Sequence, residues 1–384
     1  MTSSTSSQMS SQTSSASNQR KIRYAVVGLG WFAQQAAMPS FAQSENSELV
    51  ALVSDDPTKL QELGQKYNVQ HTYSYEQYEE CLNSGEVDAV YIALPNHLHR
   101  EYTVRTAEQG IHVLCEKPMA VTADECEEMI RACESNDVKL MIAYRLHLEP
   151  ANLAAIEVVQ SGQIGEPRIF NSVFTQQVTD ESNIRLKDET GGGTIDDIGI
   201  YCINAARYLF QDEPIEVFAF AGTNGEPRFS EVEEMATAVL RFSNDRLATF
   251  TVSFGAASVS TYQVVGTKGD LRLDPAYSWN GELKHYLTVN GETQERSFPD
   301  HSQLAAEFTY FSNCILNDTQ PEPSGQEGLN DVRIIRSLYQ SIKLERPVRI
   351  ARLDDHQHPT IDQAISQPPN AEQPDLVNAS TPNG

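Results

Sequence analysis

Two folding units, one of alternating α/β type and one of α+β type, are predicted by three features of this chain. Short apolar runs alternate with helical patterns over the first third, and from about residue 145 such runs follow one another with only turns between them. The third feature is length, since 384 residues exceed what one compact core usually holds. Hydrophobic residues make up 40% and charged ones 21%, so fibrous and fully disordered classes are excluded.

The first 20 residues are Ser/Thr/Gln-rich and cannot bury enough apolar surface to offset chain entropy, so a disordered arm is expected. They hold no apolar run and therefore read as neither a signal peptide nor an anchor. Strands are then predicted over 22–27, 49–53, 89–93, 112–115 and 140–143. Their spacing of about 20 to 30 residues is the rhythm of βαβ units and a parallel sheet. Helices fill the gaps, for example over 57–66 and over 123–135 with Thr122 as cap. This first unit is bounded at 21–145.

The second unit, 146–352, has predicted strands over 168–178, 215–221, 236–242, 246–254, 261–265 and 283–289. Asn290-Gly291 and Asn244-Asp245 mark hairpins, so its sheet is expected to be open and mostly antiparallel. Helices are predicted over 150–161, 194–210, 303–317 and 325–344. The Pro/Gln/Asn/Asp-rich end, 353–384, is expected to be a disordered tail.

Lys and Arg number 28 against 53 Asp and Glu, a net charge of −25 without a basic patch, which repels a phosphate backbone. No nucleic-acid partner is expected. No stretch reaches the roughly 20 apolar residues of a spanning helix, so no membrane partner is expected either. The six cysteines are scattered without C-x-x-C pairs, which fits a reduced, cytoplasmic protein without a metal site.

Strand 22–27 runs into Gly28-Leu29-Gly30-Trp31-Phe32-Ala33, a G-x-G-x-x-A dinucleotide fingerprint opening a helix. Gly28 permits the tight turn, Gly30 admits a pyrophosphate, and Ala33 lets helix and strand pack closely. The first unit is thus expected to be a Rossmann domain. Trp31 and Phe32 are candidates for cofactor contact, with packing as the competing role. At the tip of the second strand stands Ser54 rather than a carboxylate, and Lys59 follows one helical turn later. A hydroxyl and an ammonium there suit a 2′-phosphate, so NADP is favoured over NAD, with the adjacent Asp55 and Asp56 arguing against it.

Three more clusters stand at strand ends or helix starts: Pro95-Asn96-His97-Leu98-His99, Glu116-Lys117-Pro118, and Gly191-Gly192-Gly193-Thr194-Ile195-Asp196-Asp197-Ile198-Gly199-Ile200-Tyr201. Asp197 and Tyr201, four apart, would share a helix face. In this order the motifs resemble the Gfo/Idh/MocA oxidoreductase family over about residues 22 to 350. The resemblance implies redox chemistry on a sugar or polyol carbon. It also implies a homodimer or homotetramer formed through the second sheet.

Carried over by resemblance, Lys117 is the lysine between nicotinamide and substrate, and Asp197 the acid that holds a substrate hydroxyl. Tyr201 departs from the commoner His and matches the glucose-fructose oxidoreductase branch, whose NADP preference agrees with Ser54 and Lys59. Tyr201 is expected to exchange the proton of a C1 hydroxyl while hydride moves, with Lys117 stabilising its phenolate. Pro95, Asn96, His99, Glu116 and Arg145 complete the expected cofactor contacts, with a buried supporting role weighed for His99 and a salt bridge for Arg145. The leading expectation is an NADP-dependent aldose 1-dehydrogenase acting on a small sugar. Alternatives are a glucose-fructose oxidoreductase-like enzyme with tightly held NADP, and a non-catalytic NADP-binding regulator.

Overall fold

The computed structural model describes residues 20–351, 357–370 and 374–383. The expected N-terminal arm lies outside the described residues except for Arg20, whose guanidinium pairs with Asp88 at 3.2 Å.

Six parallel strands form the first sheet: β1 (Ile22–Val27), β2 (Ser47–Val53), β3 (His71–Tyr73), β4 (Ala89–Ile92), β5 (His112–Cys115) and β6 (Leu140–Ile142). Their spatial order is β3-β2-β1-β4-β5-β6, so the chain reverses its direction of winding between β1 and β4. That reversal opens a crevice at the carboxyl ends of the strands, where a dinucleotide lies in such sheets. Strands β1 and β4 are almost wholly buried, which is why they read as continuous apolar runs. The helix Ala123–Ser135 begins as expected, with Thr122 and Glu125 capping each other.

Nine strands form the second sheet: β7 (Pro167–Thr175), β8 (Glu216–Gly222), β9 (Met235–Arg241), β10 (Leu247–Ser253), β11 (Val259–Gly266), β12 (Gly269–Leu273), β13 (Leu283–Val289), β14 (Glu292–Phe298) and β15 (Val348–Arg349). Their order is β14-β13-β12-β11-β7-β10-β9-β8-β15, antiparallel except for the pair β7 and β10. Helices cover one face. The other exposes Ile169, Phe220, Met235, Leu247 and Val259.

Four strands had no predicted range, although the Asn290-Gly291 hairpin implied a partner where β14 lies. β3 and β15 are too short for a periodic signal, and β12 is masked by flanking glycine and charge. β14 is a solvent-facing edge whose sequence Glu292–Phe298 carries one apolar residue, buried Phe298, so hydrophobic patterning is blind to it.

Two helices of the second unit tie it to the first. Gln303–Leu316 packs against β1 and β2, with Phe308 stacked on Phe41 at 4.1 Å and Ser312 bonded to Tyr24 at 2.9 Å. Gly325–Leu344 lies against both Ala123–Ser135 and β8.

The expectation of a disordered tail is corrected for the described part. Residues 357–370 and 374–383 run along the folded body, with Ile365 N–H bonded to the Leu148 carbonyl at 3.1 Å and Val377 paired with Gln34. Composition misled here because the segment needs no core of its own: hydrogen bonds, with Ile365 and Val377 packed on the existing core, hold it to surfaces already formed. Among the described residues no helix is long and apolar enough to cross a membrane.

Candidate active site

A cleft of about 940 Å³ lies between the two units, at the crevice where β1 and β4 diverge. The turn after β1 supplies its floor. Gly28 has φ +92°, and a Cβ there would sit 2.5 Å from the Ala93 carbonyl oxygen, so only glycine lets the two loops pass this closely. Gly30 faces open space, and a side chain there would fill the floor of the cleft. Trp31, Phe32 and Ala33 line the cleft beside it, and both aromatic rings meet Trp279 edge-on, at 6.5 and 6.3 Å. The Trp31 Nε1 donor is buried and has no hydrogen-bond partner among the described residues.

At the tip of β2 the predicted pair separates. Lys59 lines the cleft, whereas Ser54 is buried behind it and accepts from Asp56 N–H at 3.2 Å. The neighbouring carboxylates are occupied elsewhere. Asp55 accepts from Tyr75 N–H at 2.9 Å, and Asp56 caps the helix Pro57–Tyr67 while accepting from Asn378 Nδ2 at 2.9 Å. The Asn378 amide first, and the Lys59 backbone next, hold the Asp56 carboxyl below its usual range.

The loops after β4 and β5 form the centre of the cleft. Asn96 lines it and donates to the Gly191 carbonyl at 2.7 Å, joining the first unit to the glycine-rich loop of the second. His99 is corrected: it is fully buried, with ring nitrogens 3.0 Å from the Pro118 carbonyl and 2.8 Å from the Leu94 carbonyl. It braces the two loops and does not line the cleft, and burial lowers its pKa. Gly28, Ser54 and Pro95 likewise shape the walls without lining the cleft.

Glu116 lines the cleft, accepting from Tyr91 Oη at 2.5 Å and from Lys117 N–H at 3.2 Å. Lys117 Nζ donates to the Asp197 carbonyl at 2.8 Å and to Asp197 Oδ1 at 3.2 Å. The same ammonium stands 4.8 Å from the centre of the Tyr201 ring, and the Arg145 guanidinium stands 4.9 Å from it. Burial opposes the charge on Lys117, but Tyr201, Asp197 and Glu116 outweigh it and raise its pKa. Arg145 is held by Gln303 Oε1 and by the Tyr277 carbonyl. No carboxylate salt bridge engages it among the described residues.

Asp197 differs from expectation in two ways. Its helix is wound one residue wider than an α-helix over Ile195–Gly199, so Asp197 and Tyr201 are not related by a regular i, i+4 step. Its carboxylate is also already paired, with Arg185 Nε at 2.8 Å and with Lys117. Burial would raise its pKa, but Arg185 and then Lys117 prevail and hold it at about 2. Asp197 therefore fixes two cations, and any substrate hydroxyl would share it with them.

Arg185 escaped sequence reasoning because it precedes the motif. Backbone bonds from Gly192 N–H to the Lys187 carbonyl, 2.9 Å, and from Gly193 N–H to the Arg185 carbonyl, 3.0 Å, fold its loop back onto Asp197. Glu307 was also missed. It is fully buried, and neither carboxyl oxygen has a hydrogen-bond partner among the described residues.

Models of one family match both units. Residues 22–144 match the family described as "Oxidoreductase family, NAD-binding Rossmann fold", and residues 152–272 match its C-terminal domain. The chain belongs to the Gfo/Idh/MocA oxidoreductase family.

Among its curated relatives, a D-xylose 1-dehydrogenase [NADP(+)] of Haloarcula marismortui is 35% identical, over 86% of this chain and 93% of that protein. A D-xylose 1-dehydrogenase (NADP(+)) 2 of Haloferax volcanii is 28% identical over 86% of this chain and 100% of that protein. A solved structure of an aldose-aldose oxidoreductase from Caulobacter crescentus, complexed with glycerol, superposes with a TM-score of 0.83 at 38% identity. The match covers 86% of this chain and 100% of that one. For this family member the glycine floor at Gly30 and the unpartnered Trp31 donor, in a cleft that Lys59 and Lys117 also line, fit a bound dinucleotide.

Proposed function

We propose that this chain is an NADP-dependent oxidoreductase that moves hydride between nicotinamide and C1 of an aldose, oxidising the sugar to its lactone. The observation that carries the reading is the meeting of the Lys117 ammonium with the Tyr201 ring, contributed by different units, in a cleft floored by a dinucleotide fingerprint. The NADP-dependent xylose dehydrogenases and the aldose-aldose oxidoreductase among its relatives support sugar and cofactor alike.

Bound NADP supplies the hydride acceptor, and the rest falls to the chain's own residues. Tyr201 takes the proton of the C1 hydroxyl as hydride leaves the same carbon, and returns it in the reverse direction. Lys117 and Arg145, on the Tyr201 ring, stabilise the phenolate that accepts the proton. Asp197 holds Lys117 and Arg185 in place and offers its carboxylate edge to a sugar hydroxyl. Trp31, Phe32 and Trp279 form an apolar wall that excludes water.

The test is a panel of aldoses, polyols and diols read by nicotinamide absorbance with NADP and with NAD. Reduction of NADP by xylose or glucose, faster than reduction of NAD, is expected; no reduction by any aldose would reject the reading. Retention of NADP through dialysis, with exchange of hydride between two sugars, would favour the aldose-aldose variant of the same chemistry.

The two units, 21–145 and 146–352, then divide the labour between cofactor and substrate. We further propose that the exposed apolar side chains on the outer face of the second sheet pair with a second copy, giving a homodimer or homotetramer. Light scattering on the purified chain reads this directly, and a monomer at micromolar concentration would contradict it.

A further inference from the structure

The segment that ends the described chain crosses the cleft from one unit to the other. At the first unit, Val377 exchanges two hydrogen bonds with the Gln34 side chain, at 2.8 and 2.9 Å, and Asn378 donates to Asp56 at 2.9 Å. Gln34 Nε2 also donates to the Leu29 carbonyl at 2.9 Å, so the segment is tied to the fingerprint turn itself. At the second unit, Ser380 Oγ donates to Asp180 at 3.1 Å, and Thr179 N–H and Oγ1 donate to the Pro382 and Asn383 carbonyls, both at 3.0 Å. Between these moorings Asn378, Ala379 and Ser380 line the same cleft as Gly30 and Lys59. The segment lies beyond the residues matched by either family model.

We propose that residues 377–383 are a third part of the dinucleotide site, a clasp that walls the ribose end of the cleft and slows cofactor release. This rests on the NADP reading above. Only Val377 of the clasp packs on the core beneath the fingerprint, so it opens by local breakage of that contact and these bonds, at a free energy below that of global unfolding. A cofactor held behind it leaves only while the clasp is open, which lowers its dissociation rate without any change at Lys117 or Tyr201. Asn378 is also held next to Lys59, because the Asp56 that it bonds through Oδ2 caps, through Oδ1, the helix that carries Lys59.

The test follows dissociation of NADPH, by its fluorescence, after displacement with excess NADP. Three proteins are compared: the parent chain, the full chain with Asn378→Gly and Ser380→Ala, and the chain ended after residue 376. Asn378 has φ 44°, so glycine keeps its backbone conformation while removing the amide. Release about tenfold faster than from the parent is expected in the double variant, and at least as fast in the truncated chain, with apo melting temperatures near the parent's. Release within about twofold of the parent in the truncated chain, or in the double variant should truncation prevent folding, would overturn the proposal. Slow release without any sugar-dependent turnover would remove the sugar reading and leave the clasp; failure of the parent to bind NADPH removes both.

Discussion

Lys59 reaches the cleft while the hydroxyl expected to help it, Ser54, is buried behind it and does not line it. On the NADP reading proposed above, we assign preference for a 2′-phosphate mainly to this one ammonium. Replacing Lys59 with Ala should weaken NADP by about tenfold while leaving NAD nearly unchanged, as measured by fluorescence titration with both reduced cofactors. Equal losses for the two would refute the role. Glu307 makes a different claim. Burial first, and the charge of Glu116 second, push its carboxyl well above the usual range, with Arg145 opposing. The folded chain thus retains a proton that the unfolded chain releases above about pH 4.3, so this group costs stability progressively as pH rises past that point. Glu307→Gln removes the cost. Its melting temperature should gain on the parent's between about pH 4.5 and pH 8, and a constant difference across that range would contradict the assignment.

At the scale of elements, the helices of the second unit are locked by buried charge. Arg207, on the helix Ile200–Phe210, meets Glu327 at 2.7 Å and Asp331 at 2.6 Å on Gly325–Leu344, and Glu213 at 2.7 Å. Removing the cation leaves buried carboxylates uncompensated, so Arg207→Met should cost about 3 to 5 kcal/mol in urea denaturation. A loss under about 1 kcal/mol would mean that the pairs contribute little. His147 belongs to the same interior. It sits 2.9 Å from Glu322 and 2.7 Å from Asn204 and does not line the cleft. Burial lowers its pKa, but Glu322 overcomes this and raises it to about 9. Elements with strong periodicity were legible to within a residue or two, as at Ile22–Val27 and Gly325–Leu344. What escaped was structure without an apolar signature: the exposed edge β14, the widened turn at Ile195–Gly199, and the moored tail. Arg185 escaped because its place depends on a loop folding back, which no local pattern encodes.

The whole molecule works as two units whose facing loops build one site. Asn96 bonded to Gly191, and Lys117 bonded to Asp197, are the seams across which the Rossmann unit and the C-terminal unit meet. The motifs were legible because each needs particular residues at fixed spacing, whereas the pairing of Asp197 with two cations emerges only when both units are in place. We propose that Lys117 and Tyr201 act as one proton-handling device across that seam. A double-mutant cycle on kcat/KM for xylose decides this, using Lys117→Met, Tyr201→Phe and the double variant, with NADPH binding measured in each. Each single variant should keep NADPH binding and lose about 10² to 10⁴ in rate, and the double variant should be about as slow as the slower single. Near-parental turnover in Tyr201→Phe, or losses that multiply in the double variant, would contradict it.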